Sequence, residues 1–503
     1  MTRASLSILF CFSGCLPGPA KNHSNADLEV VGLIDGGTDG AVSDAAMNMS
    51  DIGPGQTTME SSVTDRGGVT WTFSTPAEVG QFVTGDYYVI GAVTITAISP
   101  APTDSPGRNG SELNIPINQE QSGWDDRVVE DRWDPTVRAN LPIAMNPGDS
   151  LTSSVSLTDA VMHENWLREG SGEYSDSPVK SFSILTCLSQ APPADAFRPS
   201  YAYAKSQKTY QLGSINRALL PQLAPAAAVD DSYLQMFAQH LSQPWIDNVF
   251  FGFDAATDYQ PQYGREVARA VGIASLLLMI APSSQTQTDA QAKILIGLTQ
   301  YGIDLYGLIQ AGYPGWQAFG GHGSGRKWPI VMAGMLLGET QMAQVSAAFP
   351  MAQFGEDMHT AFAADMPVGD TASWTGATVV YTGHQGIWNG QVVNSDPSWG
   401  PYEHLQPSAW PIYMPNEKSL GELYRRCCTS VAWVGEGLAA RLMNAQSTWN
   451  HDAFFAYADR WMTPGTDPQD LQTILSETQQ DLTDFPQGEI WDSFVQSFWG
   501  KYR

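Results

Sequence analysis

Two regimes of hydrophobic spacing divide this chain. Between 67 and 190, β-branched and aromatic residues alternate with polar ones in short runs broken by Gly, Pro and Asn: Val69-Thr70-Trp71-Thr72-Phe73, Tyr87-Tyr88-Val89-Ile90 and Val93-Thr94-Ile95-Thr96-Ala97-Ile98. A period of two with this composition predicts antiparallel strands that each bury one face. Similar pieces recur at 151–157 and 181–188, so 67–190 is expected to be an antiparallel β-sandwich-like domain. Pro192-Pro193 and the Ala-Pro run at 224–228 mark 191–229 as a connector. From 230 the spacing changes to steps of three and four, as in Ile294, Leu298, Tyr301, Leu305 and Leu308, or Leu420, Tyr424, Cys427, Val431, Val434, Leu438 and Leu442. Such stripes are one face of a helix. The stretch 270–281 is apolar nearly all round but too short to span a bilayer, which predicts a buried core helix. Asn450 or Asp452 is placed to cap a helix running to Trp461, and a last helix ends near Tyr502.

Long segments at 312–328 and 367–416 separate these helices and are rich in Gly, Trp, His and Asn. Long connections in a compact domain are usually functional or disordered, and the aromatic content argues for order. Helical hairpins with ordered loops gathered on one side predict an (α/α) toroid or incomplete toroid over 230–503. The whole is then a multidomain β + α chain.

The N-terminal part adds a compartment. Residues 16–66 are Gly, Asp, Ser, Asn and Ala with almost no aromatics, which predicts a flexible linker. Before it, Arg3, a short apolar run from Leu6 and the tetrapeptide Phe12-Ser13-Gly14-Cys15 resemble a bacterial lipoprotein signal over 1–15. The resemblance implies export, with the membrane reached only through a lipid on Cys15. An ordinary secretory signal is the alternative.

Composition narrows the partners. With 25 Lys+Arg against 52 Asp+Glu, the formal net charge is -27 and no basic cluster is available for a nucleic-acid backbone. Charged residues are only 15%, while Trp 16 and Tyr 18 are generous, which suits a neutral, hydroxyl-rich partner that stacks on rings. Cys187, Cys427 and Cys428 are too few for a disulfide scaffold; one bridge from Cys187 to the adjacent pair, or three buried thiols, are the readings open. No P-loop, HExxH, EF-hand or dinucleotide fingerprint is present, so no cofactor or metal is called for.

Three constellations carry candidate chemistry. The densest runs from Trp316 to Pro329, where four glycines surround His322 and a helix is expected to start at Pro329. Arg326 and Lys327 beside that helix start would make a carboxylate site. The second is Tyr263-Gly264-Arg265-Glu266, where Tyr263 would move a proton and Arg265 grip a carboxylate. The third contains His384, Trp388, Trp399, Tyr402, Glu403 and His404, with the indoles as sugar platforms and Glu403 as acid or base. Glu422, Arg425 and Arg426 read as an internal ion-pair group.

An exported chain with a β domain, helical hairpins and loops bearing Tyr, His, Arg and Trp resembles the α/α-toroid polysaccharide lyases and glycoside hydrolases. The likeness is architectural, covers 230–503, and differs in having the β domain first. It implies a polysaccharide substrate. The leading expectation is a lyase cleaving a uronic-acid-containing glycan, with His322 and Tyr263 or Tyr402 as base and acid and Arg265, Arg326 and Lys327 on the carboxylate. A hydrolase using two of Asp254, Asp304 and Glu403 is the next, and a non-catalytic surface glycan-binding lipoprotein the third. Oligomeric state is left open.

Overall fold

The computed structural model describes residues 56–117, 121–128, 133–164, 167, 174–202, 208–247, 257–261, 263–366, 371–383, 386–389, 391–392, 402–410, 412–414, 417–418 and 420–503. The lipoprotein-like segment with Cys15, and with it Asp254, His384 and Trp399, lies outside them.

Most of the strand-rich part is one sheet, with a short hairpin of Thr103–Asp104 and Gly107–Arg108 standing apart from it. Its strands are β1 (Thr58–Thr64), β2 (Thr70–Gln81), β3 (Tyr87–Ile90), β4 (Val93–Ser99), β5 (Ser111–Leu113), β6 (Ile143–Met145), β7 (Ser150–Glu164) and β8 (Tyr174–Leu188). The order is β5-β7-β8-β3-β2-β4-β6, with β1 added beside β2. All pairs are antiparallel except β8 on β3. The sheet thus begins at Thr58, inside the stretch expected to be linker.

The expected sandwich gives way to a single eight-stranded sheet curled into a half-barrel. Register shifts interrupt the β1–β2, β2–β4 and β8–β7 ladders. Each such bulge bends its strand and adds twist, so one sheet wraps its own core. Alternation along β2 sends Trp71, Phe73 and Val79 into that core with Val89, Ile95, Leu151 and Leu185. Cys187 sits there as a free thiol, its Sγ 3.0 Å from Gly91 O, and burial pushes it up to about 12.

The second part is helical: α1 (Asp231–Leu241), α2 (Gly264–Leu278), α3 (Gln285–Gln310), α4 (Lys327–Leu337), α5 (Ser430–Leu442), α6 (Asp452–Trp461), α7 (Asp467–Thr478) and α8 (Ser493–Tyr502). Ser284 caps α3 through Gln287 N, and the stripe Ile294, Leu298, Tyr301, Leu305, Leu308 is buried as its spacing requires. Every residue of α2 is buried. Gly272 lets α2 cross close against Gly435 of α5. Neither expected cap of α6 acts: Asn450 takes a left-handed turn at φ 62, and His451 precedes the helix without a capping side chain. The stripe from Leu420 to Leu442 is helical but broken by a π-helical turn at Arg425–Thr429. Among the described residues no helix is long and apolar enough to cross a membrane.

Arg198 joins the two parts. Its guanidinium meets Asp86 of the sheet at 2.9 Å and both oxygens of Asp304 on α3 at 3.0 and 2.6 Å, with none of the three more than marginally exposed. Gln300 of α3 bonds Arg198 N and O as well. Burial raises the Asp304 carboxyl to about 6 despite the cation. Removing one partner of such a cluster leaves uncompensated buried charge, which costs about 3–5 kcal/mol. Arg198→Ala is therefore expected to lower the urea midpoint by that amount of stability. A change below about 1 kcal/mol would show that the junction does not depend on it.

Candidate functional site

The Gly-rich loop is held from behind by Arg326. Its Nε and Nη2 donate to Asp247 at 2.9 and 3.1 Å, and Nη1 donates to the carbonyls of His322 at 2.9 Å and Ser324 at 2.6 Å. Tyr301 and Trp316 also donate to Asp247, to its carboxylate and its carbonyl. Arg326 is completely buried. It therefore organises the loop and presents no donor to a ligand, contrary to the role expected for it. Lys327 is likewise buried, its ammonium on Asp357 and over the rings of Trp449 and Phe354. The expected pair of ligand-facing cations is absent because each found an internal carboxylate.

Of the residues expected to act in this loop, His322 keeps partial exposure, with its Nδ1 buried. The imidazole of this half-buried residue stands edge-on to Tyr263 with ring centroids 4.7 Å apart and leans on Phe319 at 5.5 Å. Tyr263 precedes the first turn of α2, and its Oη accepts from Gly321 N at 2.9 Å. Glycine is required at 321 because a Cβ would run into Cys428 O and the Tyr263 hydroxyl; at 325 the backbone sits at φ +87 against Ala268. Burial, then the charge of Arg326, lowers His322 to about 3, so the ring is neutral near pH 7.

Arg265 completes this group from the inside. Its Nε donates to Glu266 at 2.6 Å and Nη1 to Cys427 O at 3.1 Å, while the guanidinium lies 5.2 Å from the Tyr263 ring centre and 4.5 Å from that of Trp491. Cys427 and Cys428 are bonded to each other, on the π-helical turn, so neither of the two readings left open, a bridge to Cys187 or three free thiols, describes them.

The other candidates fall elsewhere. Tyr402 is buried and donates to Glu422 at 2.7 Å. Glu403 accepts from Tyr381 N at 2.6 Å and pairs with Arg460. Glu422 binds Arg425 and Arg426. Trp316 is buried; Trp388 and His404 are half-buried, Trp388 on a two-residue strand. The structure thus brings together Tyr263, Arg265 and His322, and leaves Tyr402 and Glu403 inside a separate cluster. Asp247, Trp491 and the cysteine pair pack around the site but were missed, and Phe319 fell within the run from Trp316 to Pro329 without being given a role. Only the Cys-Cys dipeptide carried a visible signal.

Beneath the loop lies an acidic pair. Glu356 accepts from Gly325 N, and its carboxyl lies beside that of Glu436 on α5, both residues being completely buried. Among the described residues no donor reaches either Glu436 oxygen. Burial, reinforced by the facing carboxyl, holds Glu436 well above the usual range, and burial raises Glu356 to about 7. Burial and the facing carboxyl both favour the neutral forms, as two adjacent carboxylates cannot both ionise at low cost. Among the described residues no three His, Cys, Asp or Glu side chains form a metal-holding group. No family model, no curated protein and no solved structure matches this chain.

The acidic pair makes stability depend on pH. In the unfolded chain these carboxyls ionise near 4.5, whereas the fold raises Glu356 to about 7 and holds Glu436 well above the usual range. The pair's contribution is complete below the lower value and lost as pH rises towards the upper one. Glu436→Gln is expected to flatten the fall in thermal midpoint between those values. An unchanged pH profile would show that the pair does not titrate there.

Proposed function

We propose that this chain is an exported carbohydrate-active enzyme, a polysaccharide lyase cleaving a uronic-acid-containing glycan by β-elimination. The helical part is read as an incomplete α/α toroid carrying the site. The single observation that supports the reading most is the Tyr263–His322 pair, half-buried at the first turn of α2 with a neutral imidazole against a phenol.

In this scheme His322 takes the proton α to the uronate carboxylate, and Tyr263 delivers one to the departing glycosidic oxygen as the double bond forms. A base so depressed is weak by itself. A substrate carboxylate beside it would raise the imidazole towards the working range, because an opposite charge favours the protonated form. The α2 N-terminus, with Arg265 behind the Tyr263 ring, supplies positive potential at that end. Arg326 and Asp247 position the loop, and Lys327, Tyr402 and Glu403 support the core without touching substrate.

A hydrolase needs two reachable carboxyl groups across a cleft. Asp304 is tied to the buried Arg198 and Glu403 to the half-buried Arg460, which weighs against that alternative.

The test is incubation of the protein with a panel of uronate polysaccharides, following the absorbance of the unsaturated product. Turnover of at least one glycan is expected, with His322→Ala and Tyr263→Phe each lowering kcat/KM by about 10²-fold or more at unchanged circular dichroism. No unsaturated product from any glycan would overturn the lyase. New reducing ends without unsaturation would select a hydrolase, and binding without product would select glycan capture.

A further inference from the structure

Five observations meet at the Cys427–Cys428 bond. Adjacent cysteines bonded to each other close a small ring through their shared peptide, which fixes the backbone at both residues. That ring lies on the π-helical turn Arg425–Thr429, and such bulges within helices concentrate at functional positions. Cys427 O holds Arg265 Nη1, and Arg265 lies over the Tyr263 ring. Cys428 O packs against Gly321, whose N–H fixes the Tyr263 hydroxyl. Finally, the Arg265 guanidinium comes within 4.0 Å of Cys428 Sγ.

We infer that the Cys427–Cys428 disulfide is a redox-operated clamp on the Tyr263–His322 site, with Arg265 as the positioning residue that transmits its state. The oxidised ring holds the two carbonyls that place Arg265 and Gly321. Opening it removes the ring constraint and lets the turn relax, so Tyr263 and the loop lose their fixed relation.

The reductant is a dithiol. One of its thiolates attacks Cys427 Sγ, on the less buried of the two residues, forming a mixed disulfide and expelling Cys428 as thiolate. The neighbouring Arg265 cation stabilises that thiolate, which makes Cys428 the better leaving group. The second thiol of the reagent then attacks its own bonded sulfur, closing a cyclic disulfide and releasing Cys427. Two electrons and two protons pass from the dithiol, and the chain gains two thiols.

The catalytic arm of the test rests on the lyase reading; the structural arms do not. The full chain is treated with dithiothreitol under native conditions, thiols are trapped with iodoacetamide and located by mass spectrometry, and amide exchange is followed at 263–266 and 320–326. Expected are two labels on 427–428, exchange at both segments faster by about tenfold or more, a changed Trp491 environment in fluorescence, and reversal on reoxidation. Where a glycan is turned over, kcat/KM falls on the order of tenfold or more. Cys187→Ala, in the sheet core, is expected to leave these changes intact. The double variant Cys427→Ser/Cys428→Ser is expected to match the reduced protein.

Labelling of both cysteines without faster exchange would overturn the clamp. So would cysteines that become reducible only at denaturant concentrations that unfold the chain. Faster exchange together with no product from any glycan would sink the lyase while leaving the clamp standing.

Discussion

The carboxylate of Asp247 is the anchor on which the site depends. It lies wholly inside the protein and receives two donors from Arg326 and one from Tyr301, while its carbonyl takes the Trp316 indole. With its charge balanced, Arg326 turns its remaining donors to two carbonyls of a segment containing four glycines. Glycine-rich backbone loses the most freedom on folding. A multidentate cation in the interior supplies contacts that offset that loss where few side chains are available to pack. His322 is then held through its own carbonyl as well as by the contacts of its ring with Tyr263 and Phe319.

The same economy of charge runs through the molecule. Acidic residues outnumber basic ones about two to one, yet Arg198, Arg265, Arg269, Arg326, Lys327, Arg425 and Arg426 are all buried against carboxylates. Cations are drawn inward and the excess of acid remains for the surface and for the Glu356–Glu436 pair. Buried ion pairs of this kind contribute little net stability relative to an apolar core of the same shape, but they fix which partner each group takes. Arg198 between Asp86 and Asp304 fixes how the sheet meets α3 in the same way.

This distribution explains what the sequence could and could not reveal. The stripe on α3 and the alternation in β2 were legible because each reports a face turned to a core, and a core forms wherever such faces meet. Closure of the strands into one curled sheet was not, since it follows from bulges that have no compositional mark. The Leu420–Leu442 stripe hid its π-helical turn for a related reason: one extra residue per turn barely disturbs the spacing. For the site, His322 was visible as a lone imidazole among four glycines and Tyr263 as a tyrosine close to Arg265. The fate of Arg326 and Lys327 was not, because whether a cation faces solvent or a carboxylate such as Asp247 or Asp357 depends on contacts 79 and 30 positions away in the chain.

Helix α2 has no face open to solvent, and Tyr263 and Arg265 stand at its first turn. A surface helix frays from its ends at little expense, whereas this one is gripped along its whole length. Its opening free energy is close to that of the entire helical core. Geometry at Tyr263 and resistance to proteolytic nicking are therefore governed by one quantity, and damage that loosens the core anywhere is felt at the phenol.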